Sequence, residues 1–157
     1  AAVGDAKRAR LVTKVGKALY AAGERQAGAD LYMQVLDKHP EQPEALAAYA
    51  AAAAECGQNE DAVKVYLRLV VKSPNDESVR RPLAACLAAP GGLEDLAKHL
   101  EPSAAAAPAY AFLATLAKDE SRVDTAVDLY RSAVAYAPGS ASYALNLAHV
   151  LELRLDY

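Results

Sequence analysis

Three residue types in this chain share one period. Gly23, Gly57 and Gly91 fall 34 residues apart, as do Pro40 and Pro74, and Tyr32 and Tyr66. A recurrence of that length constrains the whole architecture, because such a unit cannot bury its apolar face alone and must stack on its neighbours. Within one period, Leu46, Tyr49, Ala50 and Ala53 lie at i, i+3, i+4 and i+7, one apolar stripe on a helix. Gly57 can take the left-handed conformation that closes such a helix, and Gln58-Asn59-Glu60-Asp61 supplies polar turn and first-turn residues. Ala62, Val63, Tyr66, Leu67, Leu69 and Val70 then form a second stripe that proline stops at Ser73-Pro74. Each unit therefore reads as a helix, a glycine turn, a second helix and a proline.

This layout resembles the tetratricopeptide repeat, whose pattern runs W-x2-L-G-x2-Y, then A-x3-F, then P. The first unit matches it with Val12, Val15-Gly16, Leu19, Gly28, Tyr32 and Pro40. The second uses Leu46, Tyr49-Ala50, Ala53, Ala62, Tyr66 and Pro74, and the fourth Tyr110, Leu113-Ala114, Ala117, Ala126, Tyr130 and Pro138. The third is degenerate. It keeps Leu83-Ala84 and Leu87, but Arg80, Leu96 and Leu100 stand at the other slots, and Pro102 shortens its second helix. Gly91-Gly92 makes its turn, and Glu101 to Ala107 forms the main irregular loop. Leu147-Ala148 and Leu151 begin a fifth unit. The small residue needed for close helix approach is held by Gly16, Ala50, Ala84, Ala114 and Ala148 in turn, which argues against chance periodicity in an ordinary helical bundle.

The resemblance implies an all-α, right-handed superhelical solenoid of antiparallel helix hairpins. Its expected divisions are a leader (1–8), repeats at 9–42, 43–76, 77–106 and 107–140, and the first helix of a fifth at 141–157. Tyr32, Tyr49, Tyr66, Leu83, Leu113, Ala126 and Tyr130 are expected between helices. Leu147, Val150, Leu151 and Leu155 are expected as an exposed stripe on the last helix, to be covered by further chain or a neighbouring subunit. The absent initiator Met implies processing, trimming or excision from a longer chain.

Composition supports helix before it supports core. Apolar residues make up 54% of the chain, but 38 residues are alanine, which suits a helix surface as well as an interior. With one Phe, no Trp and nine Tyr, the wedges that space packed helices must be Tyr and Leu. The net charge of −3, with acids and bases interspersed, gives no global field for nucleic acid or an anionic membrane. The longest apolar run, Ala45 to Ala54, falls short of the ~20 residues that span a bilayer. Cys56 and Cys86 show no CxxC or Cys/His clustering, so neither a disulfide scaffold nor a zinc site is indicated. A reducing, cytoplasmic setting within a large assembly follows as the expectation.

No catalytic constellation emerges, and no enzyme activity, cofactor or metal is expected. His39, His99 and His149 are isolated from one another in sequence, and Gly91-Gly92 lacks the strand and Lys or Ser/Thr of a phosphate loop. Glu60, Asp61, Asp119, Glu120 and Asp124 sit where helix starts favour negative charge. The basic group Lys7, Arg8, Arg10, Lys14 and Lys17 reads as a solvated helix face, with an acidic protein segment next.

In the resembled family the first helices of successive units line a concave groove that holds a partner helix or extended peptide. Carried over residue by residue, that groove includes Lys14, Lys17, Tyr20, Ala47, Ala51, Ala54, Arg81, Ala85, Thr115, Leu145 and His149, with Arg10, Thr13, Glu44, Ser78, Ala88, Ala111 and Lys118 on the same faces. The Lys/Asn clamp by which co-chaperone members hold a C-terminal carboxylate is absent, since Thr13, Lys17, Ala48, Ser78 and Pro82 occupy its places. The leading expectation is a non-catalytic protein-interaction scaffold, a segment of a larger protein or assembly. The alternatives are a receptor for short acidic peptides through Lys14, Lys17 and Arg81, and the regulatory arm of an enzyme whose catalytic domain lies elsewhere.

Overall fold

The computed structural model describes residues 2–88 and 96–155. Among them the chain forms eight α-helices and no strand: α1 (Ala2–Ala21), α2 (Arg25–Lys38), α3 (Pro43–Glu55), α4 (Asn59–Lys72), α5 (Glu77–Leu87), α6 (Ala107–Asp119), α7 (Val123–Tyr136) and α8 (Ala141–Leu155). Two compact units divide it, Ala1–Leu69 and Val70–Tyr157.

In the first unit α1 lies along α2, and both meet α3. Glycine sets the first of these spacings. A Cβ built on Gly28 would lie 2.6 Å from the Gly16 carbonyl oxygen, and one built on Gly16 would lie 2.8 Å from the Tyr32 ring. Any side chain at Gly28 would therefore press backbone on backbone. Tyr32 is buried beside this crossing, while Ala9, Val35 and Ala45 form a core on which Val12 and Leu36 pack. α3 starts where Pro43 occupies the first turn and the Gln42 side chain accepts a hydrogen bond from the Ala45 N–H, satisfying one orphan donor. α4 buries Ala62, Val63, Tyr66 and Leu67, and Arg68 pairs with Glu41. Tyr49 is only half-buried, at the edge of the α3 stripe and not at its centre.

Backbone hydrogen bonds close three turns in the same way. The Gly23 N–H donates to the Tyr20 carbonyl (3.1 Å) and the Glu24 N–H to that of Leu19 (3.0 Å). Gly57 and Gln58 repeat the pair on Ala54 (3.1 Å) and Ala53 (2.9 Å), and Ser121 and Arg122 on Lys118 (2.9 Å) and Ala117 (2.8 Å). Each turn needs one left-handed residue, supplied at φ 97° by Gly23, 80° by Gly57 and 60° by Ser121. Only at Ser121 does a Cβ stand in that conformation.

In the second unit the Asp76 side chain caps α5 by accepting from the Ser78 N–H (3.0 Å) and hydroxyl (2.6 Å). α5 continues through Pro82, which has no N–H to offer the Ser78 carbonyl. Leu96–His99 is a 3-10 turn that buries Leu96, with Leu100 buried just beyond it. The expected Gly91-Gly92 turn lies outside the described residues. The loop is shorter than its sequence implies: Ala104–Ala106 form a 3-10 turn capped by the Ser103 hydroxyl, and Ala107 already opens α6. Alanine-rich stretches, lacking any breaker until Pro108, fold into whatever helical turn their ends permit.

α6, α7 and α8 pack in sequence order around Leu113, Ala114, Ala126, Val127 and Tyr130. Tyr110 stacks at a tilt on Tyr136 (5.4 Å between centroids) and donates to the Leu100 carbonyl (3.3 Å). The stripe on α8 is not left bare as expected. Val150 is buried, and Leu147 and Leu151 are half-buried, because this face turns back onto α7. Leu145 and Leu155 are the large apolar side chains that α8 exposes, 71% and 83% accessible. Ala148, expected in a close-approach slot, is exposed, with no helix against it among the described residues.

Candidate functional site

The first unit carries an open hollow of about 440 Å³ beside the turn ends of its first two hairpins. Lys17, Tyr20 and Ala21 reach it from the end of α1, and Arg25 and Tyr32 from α2. Ala48, Ala51, Ala52 and Glu55 reach it from α3. The local sequence explains the layout. Tyr20 lies three residues before Gly23 and Glu55 two before Gly57, so the recurring turns bring the two helix ends to the same level. The alanines of α3 leave a floor without bulky side chains.

Aromatic and charged groups surround that floor. The Tyr20 and Tyr32 rings sit 6.5 Å apart at a 31° tilt, and the Arg25 guanidinium lies 5.9 Å from the Tyr20 ring centre. The Tyr20 hydroxyl is buried and makes no hydrogen bond. Burial first, and then the nearby Glu55 carboxylate, push the Tyr20 phenol above its usual pKa, against a smaller opposing pull from Arg25. Burial and Glu55 raise Tyr32 in the same order.

Of the residues expected to bind a partner, Lys17, Tyr20 and Ala51 come together here. Lys14 is exposed on α1, and Ala47 and Ala54 are half-buried on α3, but none of the three lines the hollow. Thr13, placed on the same face by the resemblance, is 1% exposed and donates to the Ala9 carbonyl (2.9 Å). Ala9, Thr13 and Gly16 follow helical spacing and form the packed side of α1. Arg10 and Glu44 pair with each other at 3.2 Å.

The remaining expected residues belong to the second unit. Arg81 and Ala85 are exposed on α5, as are Leu145 and His149 on α8. Thr115 is half-buried and committed internally, since its hydroxyl donates to the Ala111 carbonyl (3.0 Å) and meets the Tyr130 hydroxyl at 2.8 Å. Its hydroxyl faces α7. On the neighbouring helix Arg80, which stands at an aromatic slot of the pattern, lies 4.6 Å over the Phe112 ring.

Sequence reasoning missed Arg25 and Glu55. Their equal closeness to the recurring glycines was the available signal, but isolated charges beside turns resemble ordinary capping residues.

Residues 19–86 match the model of the tetratricopeptide repeat. The match spans 68 of the 157 residues, under half of the chain. Such repeats are in general protein-interaction modules and are generally non-catalytic. No curated protein matches the chain. Among solved structures, a thermophilic TPR protein of Thermus thermophilus is 19% identical, with 91% of this chain and 98% of that chain covered and a TM-score of 0.48. MamA from Desulfovibrio magneticus is also 19% identical, with 94% and 85% covered and a TM-score of 0.48. Among the described residues no helix is long and apolar enough to cross a membrane, and no group of three or more His, Cys, Asp or Glu is placed to hold a metal ion.

Proposed function

We propose that the chain is a non-catalytic interaction scaffold and that the alanine floor of the first unit is where a partner segment docks, as a helix or an extended peptide. The observation that carries this reading is the open hollow with Ala51 exposed at its base and Tyr20 and Lys17 at its side. Small residues let a partner backbone approach closely, and a half-buried tyrosine supplies the rigid anchor on which binding energy concentrates. The helix pairs are proposed to follow the repeat divisions given by sequence, with α1 and α3 as groove-lining first helices.

Ala51→Arg tests this directly, because it fills the floor at an exposed position and leaves the helix contacts alone. The variant should keep its helical content and melting behaviour yet lose the natural partner in a pull-down from the source cell. Changing Lys14 and Lys17 together to Ala should weaken binding by only about 1 kcal/mol, mainly at low salt. Binding that survives Ala51→Arg but is abolished by the lysine pair would replace the scaffold with an acidic-peptide receptor.

A further inference from the structure

Positive charge is segregated onto one helix. α1 carries five bases against one acid, although the chain as a whole has a net charge of −3. Arg10 pairs with Glu44, but Lys7, Arg8, Lys14 and Lys17 are exposed with no carboxylate within ion-pair distance among the described residues. Apolar side chains accumulate there too. Of the large apolar residues exposed among the described ones, half are on α1: Val3, Leu11 and Val15. Helical spacing puts Gly4, Lys7, Leu11, Lys14 and Ala18 in one line, with Arg8 and Val15 along one side of it and Val3 along the other. This outer face lies opposite the packed side formed by Ala9, Thr13 and Gly16.

The outer face is not built for another helix. Lys7 and Lys14 interrupt its seam, and a helix packed there would strip water from both charges. One period later, Ala45 and Ala48 stand where α1 has Leu11 and Lys14, and both are buried, Ala45 in a core with Ala9 and Val35. α3 thus has alanine where it meets its neighbours, and α1 has lysine. A hydrated headgroup layer accepts what a helix seam rejects, because apolar side chains enter the acyl boundary while the long Lys and Arg stems reach back to anionic groups. On the Arg8 side the basic border continues onto α2, where Lys38 and His39 share with Arg8 and Asp5 a hollow of about 180 Å³.

We propose that the outer face of α1 docks on an anionic lipid surface, with Val3, Leu11 and Val15 at the acyl boundary and Lys7, Arg8 and Lys14 among the headgroups. The field is local to this helix, so it needs no net positive charge on the chain. Lys17 and Tyr20 lie on a different side of α1, toward the hollow. Docking of a protein partner in the hollow and docking of lipid on the outer face therefore stand or fall separately.

The test is cosedimentation of the full chain with extruded vesicles of phosphatidylcholine and phosphatidylserine, against vesicles of phosphatidylcholine alone. The chain should partition at least about tenfold more strongly onto the anionic vesicles, and added salt should reduce the difference. Lys7→Gln combined with Lys14→Gln should weaken partitioning by roughly twentyfold, since each cation near such a surface contributes a factor of about five. Leu11→Ser combined with Val15→Ser should weaken it several-fold at unchanged charge. All four positions are exposed, so the circular dichroism of both variants should match the parent.

Absence of vesicle binding, equal binding to the two compositions, or partitioning unchanged by either double variant would each overturn the assignment. A chain that ignores the vesicles yet captures poly-glutamate, or that ignores them and forms a dimer which the Leu11/Val15 variant dissociates, would make this face a protein interface and remove lipid from the account. Ala51→Arg decides the hollow alone, whatever the vesicles show.

Discussion

Replacing Gly28 with Ala sets two well-measured effects against each other at one atom. Inside a helix this change is favourable by about 1 kcal/mol on propensity alone. At Gly28, however, the new methyl would lie 2.6 Å from the Gly16 carbonyl oxygen, 2.9 Å from the Tyr20 Cβ and 3.0 Å from the Tyr20 nitrogen. Two of these three atoms are backbone, so no side-chain rotation relieves the contact and α1 must move away from α2. A gap of about 0.5–1 Å forfeits a quarter to a half of each dispersion contact along that seam. Overpacking typically costs about 1–3 kcal/mol, and with backbone meeting backbone the cost lies in the upper part of that range, about 2–3 kcal/mol, which outweighs the propensity gain of about 1 kcal/mol. The net expectation is a loss of about 1–2 kcal/mol, or roughly 2–8 °C in Tm for a chain of this size. Gly4→Ala is the matched control: nothing lies within 4 Å of its Cβ, so it should gain up to about 1 kcal/mol. Urea titration followed by far-ultraviolet circular dichroism reads the global change, and amide exchange on α1 and α2 reads it locally. A Gly28→Ala protein as stable as its parent would refute the close-crossing argument.

Ser121→Gly should stabilise the chain by about 0.5–1 kcal/mol, because it relieves a Cβ held at φ 60° and costs only part of that in unfolded-chain freedom; a lower Tm would count against it. Tyr66→Ala empties a site that is 2% exposed and should cost about 3 kcal/mol or more in a denaturant titration, with a loss below about 1 kcal/mol as the contrary result. Stability should also fall in alkali. Tyr20, Tyr32 and Tyr110 all have raised pKa values, so their contribution is fully present below the unfolded tyrosine value of about 10 and is lost as pH rises through the folded values. Melting curves collected from neutral pH upward should show no tyrosine-linked decline until that region, and Tyr110→Phe should reduce the decline.

The helix hairpins were legible because their signals are local and repeated. Gly23 and Gly57 mark turns that only a left-handed residue closes, and Tyr32, Tyr66 and Tyr130 recur on the buried faces. The Ser121 turn shows the limit of that signal, since the same hydrogen bonds form there around a residue that sequence reading ranks as merely polar. The Thr13 and Thr115 hydroxyls turn inward for a shared reason. A hydroxyl suggests a surface, but inside a helix it can donate to the carbonyl four residues back and then pack like an apolar side chain. The hollow was only half legible. Lys17, Tyr20 and Ala51 follow from the groove positions that the family resemblance implies, whereas Arg25 and Glu55 join them through the meeting of turn ends that are distant in sequence.

The placement of Tyr20 and Tyr32 beside Glu55 also gives the molecule a built-in optical reporter. With nine tyrosines and no tryptophan, its intrinsic emission is tyrosine emission alone, undimmed by transfer to an indole. A carboxylate near an excited phenol quenches it by accepting its proton, so the two rings that line the hollow are the ones whose brightness depends on what stands between them and Glu55. Anything entering that space changes the light the unlabelled chain gives off.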